Sequence, residues 1–208
     1  MGHEGMAVAA IRYLRATAAP QPYQPPRPAL RAVGPDERMP PATDPAADGR
    51  LLRTVLGHFC TGVTVVSAID EEGTPVGFAC QSFSSLSLDP PLVSFNVARS
   101  SASWPRMARA GAFCVSVLAA DQEALCRSFA VSGAGGVDKF AGLDWTPAPA
   151  TGAPRLAGAL AWIDCAIHAV HTGGDHLIVL GRVADLAVAR ADAGPLLFYR
   201  GGFGELSR

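Results

Sequence analysis

A mainly β domain of antiparallel strands, closed as a Greek-key barrel with a few short helices inserted, is the fold class that this sequence predicts. Three observations point there. β-Branched and aromatic runs of strand length recur from residue 61 onward and are bounded by Gly, Pro and Asp turns. Two long strand-like runs in the second half, at 160–170 and 176–188, are joined by Thr172-Gly173-Gly174-Asp175, and the first alternates between its two faces. Helical spacing is confined to short stretches with clear stops. A closed barrel of such strands leaves no unpaired edge.

The chain has 208 residues, of which 49% are hydrophobic, enough for one sizeable core and a tail. The tail is residues 1–48, where Pro20, Pro22, Pro25, Pro26, Pro28, Pro35, Pro40, Pro41 and Pro45 fall among few bulky aliphatics. Such a stretch cannot bury enough apolar area to offset its ordering entropy, which predicts a disordered or loosely docked arm with one short helical piece at 6–18. No secretory pattern and no run long enough for a membrane span is read in the chain. A net charge of -1 without any basic cluster argues against nucleic acid. The five cysteines, Cys60, Cys80, Cys114, Cys126 and Cys165, never fall in a CxxC spacing, so they read as reduced core thiols of a cytoplasmic protein and not as a metal site or a disulfide framework.

In order, residues 50–59 place Leu51, Leu52, Val55, Leu56 and Phe59 at helical spacing, with Asp48 or Gly49 as cap, and predict a short helix lying on the barrel. Residues 61–68 and 76–83 form a hairpin around Glu71-Glu72-Gly73. The hydroxyl-rich segment 82–87 follows as a loop, closed by Asp89-Pro90-Pro91, and a strand covers 92–97. Ser101 or Ser103 then caps a helix of about ten residues, with Pro105 in its first turn and Gly111 past its end. Residues 113–118 are the next strand, and Asp121 caps a helix to about Phe129. The Gly-, Ala- and Pro-rich stretch 131–154 reads as a long surface loop. On the strand 160–170, Ile163, Cys165, Ile167 and Ala169 are core-facing, and Trp162, Asp164 and His168 are not. A last strand covers 196–199.

The polar loop between strands must satisfy its hydroxyls and peptide groups with solvent, with itself or with a ligand. The candidate ligand residues there are Cys80, Gln81, Ser82, Ser85, Leu86 and Ser87, against the plainer alternative of an ordinary crossover loop. One cation and several hydroxyls in Ala98, Arg99, Ser100, Ser101 and Ser103, just before a helix start, suit a phosphate, or else form a helix cap beside a solvated charge. His176 stands at a strand end, Phe129 reads as ligand contact or core, and Lys139 as ligand contact or solvated charge. Asp164 and Asp175 do not make an acid/base pair, and no GxGxxG opens a helix after a strand.

The segment from Gly77 to Ser103 resembles the FMN-binding split-barrel flavin reductases, the reductase components of two-component flavin-dependent monooxygenases and halogenases. Four further pieces match in order: 61–66; 113–118 with Phe129-Ala130; Gly174-Asp175-His176 with Gly181-Arg182-Val183; and 195–202. Phe78, Ala79, Cys80 and Gln81 stand where Met-Thr-Ala-Asn is frequent in that family, so a hydroxyl contact from position 79 is lost. The resemblance implies an antiparallel Greek-key split barrel over about residues 51–206, assembled as a homodimer. It implies FMN, or FAD, reduced at N5 by hydride from NADH or NADPH, with release to a separate monooxygenase. The 80–87 segment would hold the pyrimidine edge and ribityl chain, the Arg99 segment the phosphate, and His176 the nicotinamide side. A non-catalytic FMN-binding protein and a flavin-dependent oxidase acting on an organic substrate are the other readings.

Overall fold

In the computed structural model, residues 49–131 and 138–206 are described; the proline-rich arm expected at 1–48, with its helical piece, lies outside them. A helix α1 (Gly49–Leu56) leads into β1 (Thr61–Gly62), β2 (Thr64–Ile69) and β3 (Pro75–Cys80). Then come β4 (Ser84–Leu88), β5 (Pro91–Ala98), α2 (Trp104–Ala110), β6 (Ala112–Val117), a 3-10 turn (Ala120–Gln122) and α3 (Glu123–Ala130). The second half contributes β7 (Trp145–Pro147), β8 (Pro154–Leu156), β9 (Ala161–Gly173), β10 (His176–Val188), β11 (Leu197–Tyr199) and β12 (Gly202–Gly204).

Seven strands form one antiparallel sheet in the order β3-β2-β6-β9-β10-β5-β4, curled around a core of Phe95, Phe113, Val66, Val115 and Val179. The Phe95 ring packs edge-on against Phe113 at 5.1 Å and Trp104 at 6.2 Å. β10 carries Gly181 where the sheet bends, because a Cβ there would sit 2.4 Å from the Phe113 ring. β2 is buried on both faces. Val66 and Ala68 join this core, and Val63 and Val65 join a second one with Leu118, Cys126, Phe129 and Leu196 under α3. A small sheet, β1-β11-β12, flanks the second core.

The barrel is split, not closed. β3 and β4 are the two ends of the strand order, so the ladder stops between them. β4 pairs with β5 only from Pro91 to Ser94, which leaves the Phe95–Ala98 half of β5 with β10 alone. One side chain laces the gap. The Ser82 hydroxyl accepts from the Asn96 amide at 2.8 Å and donates to the Asn96 carbonyl at 3.1 Å.

Other expectations change for local reasons. The polar segment 82–87 is not wholly a loop, because its serines can stand in water on an edge strand. Ser84 meets Ser94 at 2.9 Å, and Leu86 is the bulged residue of β4. α2 has seven residues, shorter than expected, and is bounded by Gly111 at φ 71°. Ser101 Oγ accepts from the Trp104 amide, while Ser103 donates to the Gly77 carbonyl. Asp121 does not cap α3, since it pairs with Arg190 at 3.1 Å. Within the expected loop 131–154, β7 pairs with β8, and the intervening turn binds Asp164 through the Ala150 and Thr151 amides at 2.9 and 3.1 Å. Asp164 is thus fully buried and not on an open face. Four cysteines are buried as expected, but Cys60 is exposed. Burial, aided by Asp164, pushes the Cys114 and Cys165 thiols up to about 12. α1 buries none of its residues against this chain, so its apolar stripe does not lie on the barrel.

Candidate functional site

The split opens into a cleft of about 500 Å³. One lip is the end of β3 with the residues after it, Phe78, Ala79, Cys80, Gln81 and Ser82; the other is the unpaired end of β5, Asn96, Val97 and Ala98, with Ser101 beyond it. Cys126 and Ala130 of α3, together with Phe198 and Phe203, close the apolar side, and His176 stands where β10 begins. Phe198 and Phe203 face each other across the β11–β12 ladder at 5.1 Å, and Arg127 lies over the Phe203 ring at 4.8 Å. A largely apolar hollow of this size with a few polar groups at one rim is how small-molecule and cofactor sites are built.

Of the sequence-predicted residues, the structure brings Cys80, Gln81, Ser82, Ala98, Ser101 and His176 together around this cleft. Ser85, Leu86 and Ser87 stand on β4 and do not line it within this chain, and neither do Ser100 and Ser103. Arg99 is exposed just past β5, tied to the β9–β10 turn through its amide, which donates to the Asp175 carbonyl at 2.9 Å. Phe129 is core, packed on Phe140 at 5.0 Å. Lys139 donates from Nζ to the Phe129 carbonyl at 3.0 Å, and its burial lowers its pKa. Sequence reasoning did not select Val63, Phe78, Ala79, Asn96, Val97, Cys126, Ala130, Phe198 or Phe203 as site residues. All of these but Cys126 and Phe203 lie inside the matched pieces, which were the available signal for them.

The polar chemistry is unevenly spread. The Ser82 hydroxyl is occupied by Asn96, with the Cys80 thiol 3.3 Å away, so Ser82 serves the seam before it serves a ligand. His176 Nδ1 lies 2.7 Å from the Asp175 carboxylate, which can only accept there; Nδ1 therefore carries a proton, and Nε2 is the nitrogen left for a ligand. Asp175 is held below the usual carboxylate range by this hydrogen bond, then by the charge of His176 and, more weakly, of Arg53. A flat aromatic ring system fits these residues. Alanine, valine and phenylalanine surfaces supply stacking contact, and the peptide groups of the two lips, where the ladder has stopped, supply donors and acceptors at the rim.

The sequence matches the flavin reductase like domain family over residues 56–207. It is 54% identical over 158 residues to the flavin-dependent monooxygenase reductase subunit HsaB of Rhodococcus jostii, covering 76% of this chain and 78% of that one. It is 43% identical over 161 residues to the FMN reductase (NADH) SmoA of Agrobacterium fabrum, covering 77% and 88%. Among solved structures, the NADH:FAD oxidoreductase SgcE6 of Streptomyces globisporus C-1027, in complex with NAD and FAD fragments, superposes with a TM-score of 0.72. The two are 40% identical, over 78% of this chain and 94% of that one. With a match that spans well over half of its length and a split barrel that opens where these residues gather, the chain belongs to the flavin reductase like domain family.

Proposed function

We propose that this protein reduces FMN, or FAD, with NADH or NADPH, and hands the reduced flavin to a separate monooxygenase or halogenase. The observation that carries this reading is the largely apolar cleft at the split, edged by the strand ends at Ala79 to Ser82 and Asn96 to Ala98 and by His176. Bound flavin supplies a ring whose N5 takes a hydride from the nicotinamide C4. The protein's part is to bind and orient. Ala79, Val97, Phe198 and Phe203 would stack and exclude water. The amides following β3, at Gln81 and Ser82, would hold the pyrimidine edge, where negative charge grows on reduction. Ser85 and Ser87 extend from that lip along β4 toward a ribityl chain, and Arg99 with Ser100, Ser101 and Ser103 would meet the phosphate. His176, held by Asp175, would set the nicotinamide face through Nε2. No general base is needed for hydride transfer.

The assembly in this proposal is a homodimer. Its support is the exposed apolar stripe of α1, where Leu51, Leu52, Val55 and Leu56 are each more than half exposed, together with exposed Val170, Ile178, Leu186 and Val188 on the β9–β10 hairpin. The free thiols and the nicotinamide substrate suit a cytoplasmic setting, and among the described residues no helix is long and apolar enough to cross a membrane. The reading also takes residues 1–48 to be dispensable for flavin reduction, which a chain beginning near Pro45 tests by keeping or losing that activity. The deciding experiment is anaerobic mixing of the protein with NADH or NADPH and excess FMN, FAD or riboflavin. Catalytic bleaching of the flavin is expected; a protein that binds FMN but never bleaches it is a carrier, and the proposal fails.

A further inference from the structure

A second cavity, of about 430 Å³, adjoins the same hairpin that walls the cleft, and its chemistry is the opposite. Phe198 and Phe203 of β11 and β12 face the cleft, whereas Arg200 and Gly201, the turn between those strands, line the second cavity. Across from them stands one face of α1 and its end: Arg50, Arg53, Thr54, Gly57 and His58, at the spacing of a single helical face. No described carboxylate lines it.

Four arginines elsewhere among the described residues are paired with acids: Arg106 with Asp70, Arg109 with Glu71, Arg127 with Glu123 and Arg190 with Asp121. Arg53 and Arg200 make no ion pair with a described residue. They are nonetheless fixed in place. The Arg200 amide donates to the Gly57 carbonyl at 2.8 Å, and a Cβ on Gly57 would meet Arg200 Cα at 3.6 Å, so helix end and hairpin turn are closely packed. Arg200 holds φ 50° and Gly201 φ 83° in a two-residue turn of the type that favours Asn or Gly at its first position, so the arginine sits there at a conformational cost. His58 donates from Nδ1 to the Thr54 carbonyl at 2.9 Å, which leaves Nε2 for another partner. The cavity also lies on the His176 side of the cleft. The charge of Arg53 reaches Asp175, the residue that holds His176.

Arg53 and Arg200, in one hollow with no described carboxylate on its lining, repel each other, and a polyanion relieves that repulsion while gaining charge-assisted hydrogen bonds. We propose that this cavity is a phosphate subsite for the dinucleotide that reacts in the adjoining cleft, holding its phosphates on Arg53 and Arg200 while the reacting ring lies by His176. The inference rests on the flavin-reductase reading. The phosphates can belong to NAD(P)H or to FAD, which share this chemistry, and the two are separable by kinetics.

The test compares Arg53→Gln and Arg200→Asn, the latter keeping a residue suited to the left-handed turn, with Arg109→Gln as a charge-matched control beside Glu71. For each, kcat/KM is measured with FMN as acceptor for NADH and for 1-benzyl-1,4-dihydronicotinamide, a hydride donor with no phosphate; the KM for FAD relative to FMN is measured with NADH. Each cavity substitution is expected to lower the ratio of NADH to phosphate-free donor by about tenfold or more, the scale of one lost charged hydrogen bond. Arg109→Gln should leave that ratio unchanged. A constant donor ratio with a comparable rise in the KM of FAD over FMN assigns the subsite to the flavin's adenylate phosphate, and the proposal stands in that form. If neither ratio moves more than about twofold in either cavity variant, the cavity holds no dinucleotide phosphate and the proposal is overturned. Failure of the unmodified protein to oxidise either donor with any flavin would instead reject the reductase reading, and the subsite with it.

Discussion

The wall of the barrel and its seam are built from the same kind of strand and differ in what their edges do. Along β2, β6, β9 and β10 every strand has a hydrogen-bonded neighbour on both sides, and the inner face is filled by Phe113, Val115 and Val179 with no residual exposure. At the seam, β3 has only β2, and the far half of β5 has only β10, with the Ser82 hydroxyl spanning the gap. Backbone donors and acceptors in the wall are used up by the ladder; at the seam the ladder ends, and side chains such as Ser82 take over part of its bonding. Rigidity and recognition are thus separated within one sheet. The wall sets the width of the gap, and the gap sets what can enter.

Substitutions on the two sides should therefore read out differently, and the largest effect belongs to the wall. Phe113→Ala, on β6, removes a fully buried ring packed edge-on against Phe95, and should cost about 3–5 kcal/mol in denaturant unfolding. A loss below about 1 kcal/mol would mean that the wall is not where stability resides. At the seam, Arg99→Ala should leave the midpoint of unfolding nearly unchanged and weaken FMN by about 10- to 150-fold, the range set by a hydrogen bond to a charged group at about 1.5–3 kcal/mol. Riboflavin, without a phosphate, should lose much less, and equal losses for the two would place the phosphate elsewhere. His176→Ala should lower the rate of anaerobic flavin reduction about tenfold in stopped flow while FMN affinity stays within about twofold. An unchanged rate would reduce His176 to a strand end. The smallest effect is expected for Ser82→Ala, about 0.5–1.5 kcal/mol of stability, because it unlaces one neutral stitch; an effect as large as that of Phe113→Ala would make the seam part of the wall.

The contrast also explains what could be read without the structure. β-Branched runs and turn residues place most strands of the wall, because their alternation follows from contacts each strand makes with a common core. Cys80 to Ser82, Ala98 and Ser101 are legible as cleft residues because they sit at strand ends beside a polar segment, and His176 through the resemblance of Gly174-Asp175-His176 to the family's sequence before a strand. Phe203 and Cys126 are not, since each enters the cleft from a distant part of the chain on an otherwise ordinary apolar pattern. Asp164 reads as solvent-facing until β7 and β8 fold over it. α1 reads as a barrel-packing helix because periodicity reports an apolar face and says nothing of which surface covers it.

Filling the seam tests the central claim most directly. Ala130, exposed on α3, and Ala98, at the end of β5, both line the cleft, and neither lies in the buried core. Ala130→Trp and Ala98→Phe should keep the far-ultraviolet dichroism and unfolding midpoint of the parent protein while FMN binding, measured by flavin fluorescence titration, weakens at least about tenfold, a cost of about 1.4 kcal/mol. Undiminished FMN affinity in both folded variants would show that flavin does not bind at the split, and the account given for the seam would be wrong.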